Sequence, residues 1–176
     1  MIVHSEDIFK NFNKETDFLF HGCNCCNKMG AGIAKYIAIK FPEAYRVDQE
    51  TNKYDLNKLG RFTYAESCGV VNLYTQFKTG NWGLQAQYRP NILNECLTNF
   101  AKEFEPTNKN YKMPLIGCGL AGGFIGDFID NVLNFEQFLK RDVFVYIDEY
   151  SIKRNVLTIF KDYVKSMEYE NLVKYV

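Results

Sequence analysis

The chain has 176 residues, and its 21 basic and 21 acidic side chains give a formal net charge of zero. This balance excludes the positive field that attracts nucleic acid or anionic lipid, so we expect no direct nucleic-acid binding. No apolar run approaches the ~18 residues that cross a bilayer, and the first residues do not resemble a signal peptide. We therefore expect one soluble, cytoplasmic domain without membrane contact, which binds a small ligand.

The chain also contains six cysteines. Without an export signal they belong to a reducing compartment, which predicts buried thiols and no structural disulfide. Asn, Lys, Ile, Tyr and Phe are abundant, as is typical of an AT-rich genome such as a viral one.

Five short and mostly apolar runs predict buried strands. In chain order they are residues 17–20, 61–64, 70–74, 113–116 and 143–147. Between them, apolar residues recur at helical spacing and predict three helices. Their apolar faces are formed by Ile33, Ile37 and Phe41, by Leu93, Leu97, Phe100 and Phe104, and by Phe128, Val132, Phe135 and Leu139. Pro42 marks the end of the first helix. Strands that alternate with helices predict a layered α/β sheet.

A further amphipathic pattern runs from Val156 to Met167, after Asp148. It predicts a C-terminal helix. We therefore expect a main domain over residues 1–148 and a helical extension over residues 149–176 that packs on it.

The segment HGCNCCNKMGAGIA, residues 21–34, raises three chemical alternatives. Zinc is one, but the spacing of Cys23, Cys25 and Cys26 is C-x-C-C, and no second cysteine pair or histidine cluster follows, so we predict no metal. A cysteine nucleophile is the second, because His21 and Cys23 are two residues apart and can share one face of a strand. Against both stands the expectation that the cysteines are small core residues.

The third alternative is a cradle for phosphate. Gly30, Ala31 and Gly32 follow a strand and precede a helix, so the backbone N–H groups of a helix start can approach an anion. A second glycine loop, residues 117–123, also follows a strand, and a helix begins by about Asp127. Two such loops at the carboxyl edge of one sheet predict a diphosphate site, whereas the alternative is two unrelated structural turns. The first loop lacks the G-x-G-x-x-G spacing of a Rossmann fold.

Four segments together resemble the macrodomains, which bind ADP-ribose. HGCNCCNKMGAGIA and MPLIGCGLAGG are similar to the two phosphate loops, VVNLYTQF to the strand between them, and the DI of SEDIF to the segment near the adenine. The resemblance covers residues 1–148 and is strongest to the compact branch that contains ADP-ribose-1''-phosphate phosphatases. It implies a three-layer α/β/α sandwich around a mixed sheet, with ADP-ribose or a derivative as ligand and neither a metal nor a cofactor.

The resemblance also implies the residues that contact the ligand. Asp7 with Ile8 matches the adenine side, although Asp7 can equally be the cap of a turn. Asn24, with Asn27 as a second candidate, matches the asparagine at the distal ribose, and Phe124 matches an aromatic that flanks this ribose or belongs to the core. The phosphate loops match at Gly30, Ala31, Gly32 and Ile33, and at Gly119, Leu120, Ala121, Gly122 and Gly123.

For catalysis, the resemblance implies removal of the 1''-phosphate with His21 and Asp127 near the scissile group. A histidine that is hydrogen-bonded inside the sheet is the alternative for His21. Asp127 is offset, because relatives carry an acid directly after the second loop. Macrodomains that release ADP-ribose from glutamate use a lysine and an aspartate where this chain has Gln76 and Ala121, with Lys78 two residues further. That hydrolase activity on macromolecules therefore ranks second, and a non-catalytic ADP-ribose-binding module is the other alternative.

One aromatic residue is left over. Trp82, in a predicted loop after the middle strand, either reaches the ligand or a partner, or packs at an edge.

Overall fold

The computed structural model describes residues 1–80 and 89–176, so Trp82 lies outside the described residues. Within this range the chain forms a seven-stranded sheet and six α-helices. The strands are β1 (Ile2–His4), β2 (Asp17–Asn24), β3 (Phe62–Ala65), β4 (Val70–Gln76), β5 (Asn110–Pro114), β6 (Phe144–Tyr146) and β7 (Lys174–Tyr175). The helices are α1 (Gly32–Lys40), α2 (Pro42–Gln49), α3 (Ile92–Phe104), α4 (Ile125–Leu139), α5 (Glu149–Lys153) and α6 (Val156–Ser166).

The strand order is β3-β4-β2-β5-β6-β1-β7. Only the β3–β4 pair of this described sheet is antiparallel, and the other neighbours run parallel. The predicted mixed α/β sheet is thus confirmed. Because β2 lies between β4 and β5, the carboxyl ends of these three strands meet at one edge, where the glycine loops emerge.

Helices cover both faces of the sheet. On one face α3, α4 and α6 bury an aromatic core in which Phe18, Phe20, Phe100 and Tyr111 contact one another. On the other face α1 and α2 cover Leu19 and Val70, while Ile37 and Ala44 supply their buried contacts. Successive residues of β2 alternate between the two layers, as the two-residue period of a strand requires. This arrangement is the predicted three-layer sandwich.

The first predicted helix is confirmed as α1, and a second helix follows it directly. α1 ends at Lys40, as the position of Pro42 predicts, but Pro42 then opens α2 at its first turn. Proline has no N–H and a fixed φ, so the residue that stops one helix suits the start of the next.

Residues 149–176 join the main core. Phe160 and Val164 of α6 are buried in the aromatic core that α3 and α4 also cover. Tyr163 donates a hydrogen bond of 2.8 Å to Asp130 of α4. β7 pairs with β1 and extends the sheet, a feature that the sequence pattern does not predict. The boundary at residue 148 stays a prediction. In the described part of the chain, no helix combines the length and the apolar character that a bilayer span requires.

Candidate ligand-binding site

Two loops lie side by side at the carboxyl edge of the sheet. Loop 1, residues 25–31, connects β2 to α1, and loop 2, residues 115–124, connects β5 to α4. Their strands are direct neighbours. A Cβ atom placed on Gly32 would lie 3.7 Å from Cδ1 of Leu120, so the loops approach to van der Waals contact. The structure therefore brings the two predicted phosphate loops to one place.

Both helices that follow the loops begin without a side-chain cap. The N-cap residues are Ala31 for α1 and Phe124 for α4, and neither side chain accepts a hydrogen bond. Helix starts normally carry Ser, Thr, Asp or Asn, whose oxygen atoms satisfy the first N–H groups. Here two neighbouring helix starts leave these donors without a side-chain acceptor, and the helix dipoles favour negative charge there.

Loop 2 adds further backbone donors. Gly117 and Gly122 adopt φ values of 81° and 65°, and the N–H groups of Gly122 and Gly123 donate to Gly119 and Gly117 within the loop. This tight turn leaves the N–H groups of residues 119–121 without an acceptor in the described chain. The side chains of Leu120 and Phe124 are 75% and 72% exposed, so both stand out from the loop. Phe124 is thus not a core residue.

The exposed part of loop 1 continues this surface. Gly30, Ala31 and Gly32 are exposed and Ile33 is half-buried, while Ala121 and Gly123 on loop 2 are half-buried. A Cβ atom on Gly30 or on Gly119 would meet nothing within 4 Å, so both positions border open space.

Asn24 ends β2 and shapes its own loop. Its Oδ1 accepts from the N–H groups of Cys26 and Lys28 at 3.0 and 3.2 Å, and its Nδ2 donates to the Lys28 carbonyl at 2.7 Å. To contact a ribose hydroxyl, the Asn24 amide would have to exchange one of these bonds. Its predicted role at the distal ribose stays a prediction.

Gln76 is the cross-strand neighbour of Asn24. A bulge in the pairing of β2 with β4 makes Thr75 the extra residue between Tyr74 and Gln76. The Thr75 hydroxyl is buried and has no hydrogen-bond partner among the described residues. Bulges often lie next to functional sites, where they redirect a side chain. Thr75 gave no signal in the sequence, because a bulge is visible only when two strands are paired.

The adenine-side residues follow β1, whose carboxyl end lies at the same edge of the sheet. Asp7 is exposed and caps a short 3-10 helix, Ile8–Lys10, by accepting from the Phe9 N–H at 2.9 Å. Ile8 is buried in the core under α1. The structure therefore gives Asp7 the turn-capping role that was the alternative, and its contact with adenine stays a prediction.

We call the surface between loop 1 and loop 2 the cleft, and Asn27 does not point toward it. Its side chain is buried, its Nδ2 donates to the carbonyls of Asp48 and Thr51 at 2.8 Å, and its Oδ1 accepts from Lys58 at 2.6 Å. Every polar atom of the side chain is thus used below the loop, and its contact with the ribose stays a prediction.

His21 is also turned away from the cleft. Its side chain is 0% exposed beneath α2, and its Nε2 lies 2.6 Å from Oδ1 of Asn72. Because the Asn72 amide nitrogen donates to Ala44 and Thr63, its oxygen faces the imidazole, and Nε2 must carry the proton. Burial lowers the pKa of His21 to about 4 despite this hydrogen bond. The structure thus shows His21 as a neutral, hydrogen-bonded residue inside the sheet, which was the alternative, and its catalytic role stays a prediction.

The thiols near His21 are buried as well. Sγ of Cys23 lies 3.7 Å from Nε2 of His21, so the two residues share one face as their spacing predicts. Burial raises the pKa of Cys23 well above its ordinary value, which keeps the thiol protonated and unsuited to nucleophilic attack. All six cysteines lie in the described residues as free thiols, and no group of three metal-binding side chains occurs there.

We expect a chelator to leave the melting temperature unchanged, because packing rather than metal ligation holds Cys23, Cys25 and Cys26. The measurement is thermal unfolding with and without EDTA, alongside metal analysis of the purified protein. One zinc per chain, lost together with stability, would contradict this account.

Asp127 is the first acidic residue after loop 2 in the sequence. It lies in the first turn of α4, is half-buried, and lines a small cavity together with Phe124, Ile116 and Asn131. Asn131 fixes this turn by donating to the Asp127 carbonyl. Although Asp127 lies three residues beyond the end of loop 2, it lines the same cavity as Phe124.

A second concave surface lies at the edge strand β3. This groove of about 1270 Å³ runs between α2 and α3 and is lined by four glutamates and two arginines. These residues are Glu50, Glu66, Glu95, Glu103, Arg61 and Arg89. The excess of carboxylates would repel a diphosphate. The candidate site is therefore the cleft between the loops.

Known proteins resemble this chain in sequence and in fold. No model of a known protein family matches the chain. An uncharacterized 17.5 kDa protein in the tk-vs intergenic region of Enterobacteria phage T4 is 32% identical over 127 residues, which is 65% of this chain and 76% of that protein. The macrodomain of Mycobacterium tuberculosis DarG has a TM-score of 0.61 at 18% identity, over 83% of this chain and 97% of that one. Thermosipho africanus DarTG, solved in complex with ADP-ribose, has a TM-score of 0.53 at 18% identity, over 74% of this chain and 38% of that one.

The layered sheet with two glycine loops at its carboxyl edge is that of a macrodomain. Within this class, the chain belongs to the family of the 17.5 kDa phage T4 protein.

Proposed function

We propose that the protein binds ADP-ribose, or a derivative of it, in the cleft between loop 1 and loop 2. The observation that carries the proposal is the pair of neighbouring, uncapped helix starts at Ala31 and Phe124. Their N–H groups, with those of residues 119–121, need an acceptor, and a diphosphate supplies both acceptors and negative charge. The macrodomain fold, and the ADP-ribose complex of a protein that shares it, support ADP-ribose over other diphosphates.

The strand order suggests which end of the ligand lies where along the edge of the sheet. Asp7 follows β1, on the β6 side of the loops, and in this proposal faces the adenine. Asn24 and Phe124 are closer to the distal ribose, where the exposed ring of Phe124 offers an apolar surface to the sugar.

For activity, we propose hydrolysis of ADP-ribose 1''-phosphate with Asp127 as the acid–base group. A water oxygen attacks phosphorus, the bond between phosphorus and the 1''-oxygen breaks, and the proton of the water passes through Asp127 to the leaving oxygen. The products are ADP-ribose and phosphate. The partial exposure of Asp127 beside Phe124 supports this assignment over His21.

A non-catalytic ADP-ribose-binding module is the second candidate. The burial of His21 favours it, because the histidine that motivated a phosphatase does not reach the cleft. Removal of ADP-ribose from modified macromolecules has less support, since Gln76 and Ala121 stand where the resemblance implies a lysine and an aspartate.

Phosphate release from ADP-ribose 1''-phosphate separates these candidates. For a phosphatase, Asp127→Asn should lower kcat by about 100-fold, the scale of a positioned proton-transfer group, and leave ADP-ribose affinity nearly unchanged. Asp130→Asn is the matched control. Asp130 lies about one helical turn further along α4, and the variant should keep wild-type turnover. A wild-type protein that binds ADP-ribose but releases no phosphate is a binding module.

A further inference from the structure

A buried polar network lies directly beneath loop 1. We call it the loop brace and define it as Asn27, Asp48, Thr51 and Lys58. Asp48 and Lys58 are 1% and 6% exposed, so the brace contains a carboxylate and an ammonium that are both removed from solvent. It lies outside the cleft and has no part in the ligand contacts proposed above.

Lys58 is the centre of the brace. Its Nζ donates to Oδ1 of Asn27 and to Oγ1 of Thr51, and it lies 4.3 Å from the centre of the Tyr74 ring. The Asp48 carboxylate is 3.9 Å away and accepts a hydrogen bond of 2.9 Å from the Tyr74 hydroxyl. The ammonium is thus surrounded by oxygen atoms and an aromatic face, which offsets the cost of its burial.

The brace holds loop 1 at several points. Asn27 donates to the carbonyls of Asp48 and Thr51, and its own carbonyl accepts from Nε2 of Gln49 at 2.9 Å. The N–H of Tyr54 donates to the Cys25 carbonyl at 2.7 Å. Both the side chain and the backbone of loop 1 are therefore tied to residues 48–58.

The conformation held in this way is an unusual one. Asn27 has a φ of 55°, in the left-handed region that non-glycine residues seldom adopt. The strain of this turn is offset by the hydrogen bonds of the Asn27 amide, and the turn directs the chain from β2 toward Gly30.

We propose that Lys58 and Asn27 are positioning residues, which hold loop 1 so that the N–H groups of residues 30–32 face a bound diphosphate. The inference rests on the proposed function, because it names what orders the phosphate loop of that same cleft. Buried charges are often no more stabilising than apolar side chains of similar size. The reason for a lysine at position 58 is therefore the fixed geometry that its hydrogen bonds give to loop 1.

The test compares two brace variants with one control variant that is destabilised elsewhere in the core. Asn27→Gly removes the amide while keeping a residue that tolerates positive φ. Lys58→Met removes the ammonium at similar length. Phe135→Leu, on the buried face of α4 and ten residues beyond its start at Ile125, is the control that lowers stability outside the loop brace. Each protein is studied at a temperature equally far below its own melting temperature.

Two readouts are required. Amide hydrogen exchange of Cys26, Lys28 and Tyr54, whose N–H groups donate to Oδ1 of Asn24 or to the Cys25 carbonyl, should become at least about tenfold faster in both brace variants without ligand and stay unchanged in Phe135→Leu. ADP-ribose affinity should fall at least about tenfold in the brace variants alone, as the loss of buried hydrogen bonds to a loop implies. If Lys58→Met does not fold, Asn27→Gly decides the question.

Wild-type exchange rates in loop 1 of a folded Asn27→Gly protein would overturn the proposal, as would an equal loss of affinity in Phe135→Leu. A wild-type protein that fails to bind ADP-ribose would end the proposed function instead. The exchange experiment would then still decide whether the brace orders loop 1.

Discussion

Gly119→Glu should weaken ADP-ribose binding by about 1000-fold while the protein stays folded. The substituted side chain enters open space, because a Cβ atom at Gly119 meets nothing within 4 Å. Its carboxylate would lie within about 8 Å of both charges of the diphosphate, and at an effective dielectric constant of ~20 this repulsion is about 4 kcal/mol. Calorimetric titration with ADP-ribose gives the affinity, and thermal unfolding verifies the fold.

Gly119→Gln separates charge from size. The glutamine has nearly the same volume and no charge, so it should lose far less affinity than the glutamate. Gly32 is a poorer choice for this test, because its φ of 55° strains any side chain and confuses binding with folding. Unchanged affinity in a folded Gly119→Glu protein would remove loop 2 from the site.

Acidification should destabilise the protein through His21. Its pKa is about 4 in the folded protein, against an ordinary value near 6.5, so between these values only the unfolded chain takes up the proton. Stability is therefore complete above about pH 6.5 and falls as the pH is lowered toward 4, by about 3 kcal/mol in total. Urea unfolding at intervals from pH 7 to pH 5 measures the upper part of this loss.

His21→Gln is the matched variant for this experiment. A glutamine amide can still donate to Asn72 but does not titrate, so the variant should lose most of the pH dependence between 7 and 5. A wild-type protein whose stability is constant over this range would contradict the buried, neutral state of His21. A solvent-exposed catalytic imidazole would give that result.

Much of the fold follows from patterns that are local in the sequence. Each of the five predicted apolar runs overlaps a strand of the sheet, although the run 113–116 shares only Met113 and Pro114 with β5. β6 is as short as β1 but lies within the apolar run 143–147, whereas β1 and β7, with three and two residues, lie in no run of that length. Their place in the sheet depends on partners that are distant in the chain.

The candidate site shows the same division. The glycine loops were predictable, because the residue types that let a backbone approach an anion are visible in the sequence. The direction in which the side chains of this motif point was not predictable from the sequence. His21 and Asn27 both flank Asn24 in the motif, yet tertiary packing turns them beneath α2 and toward Lys58. Lys58 itself is 31 residues from Asn27 and gave no local signal.

The most direct test of the central claim is an NMR titration of the isotope-labelled wild-type protein with ADP-ribose. We expect the amide signals that move to be those of residues 28–33 and 117–125, at one ligand per chain. Amide shifts that cluster along the β3 groove, or no shifts at millimolar ligand, would contradict the assignment of the cleft as an ADP-ribose site.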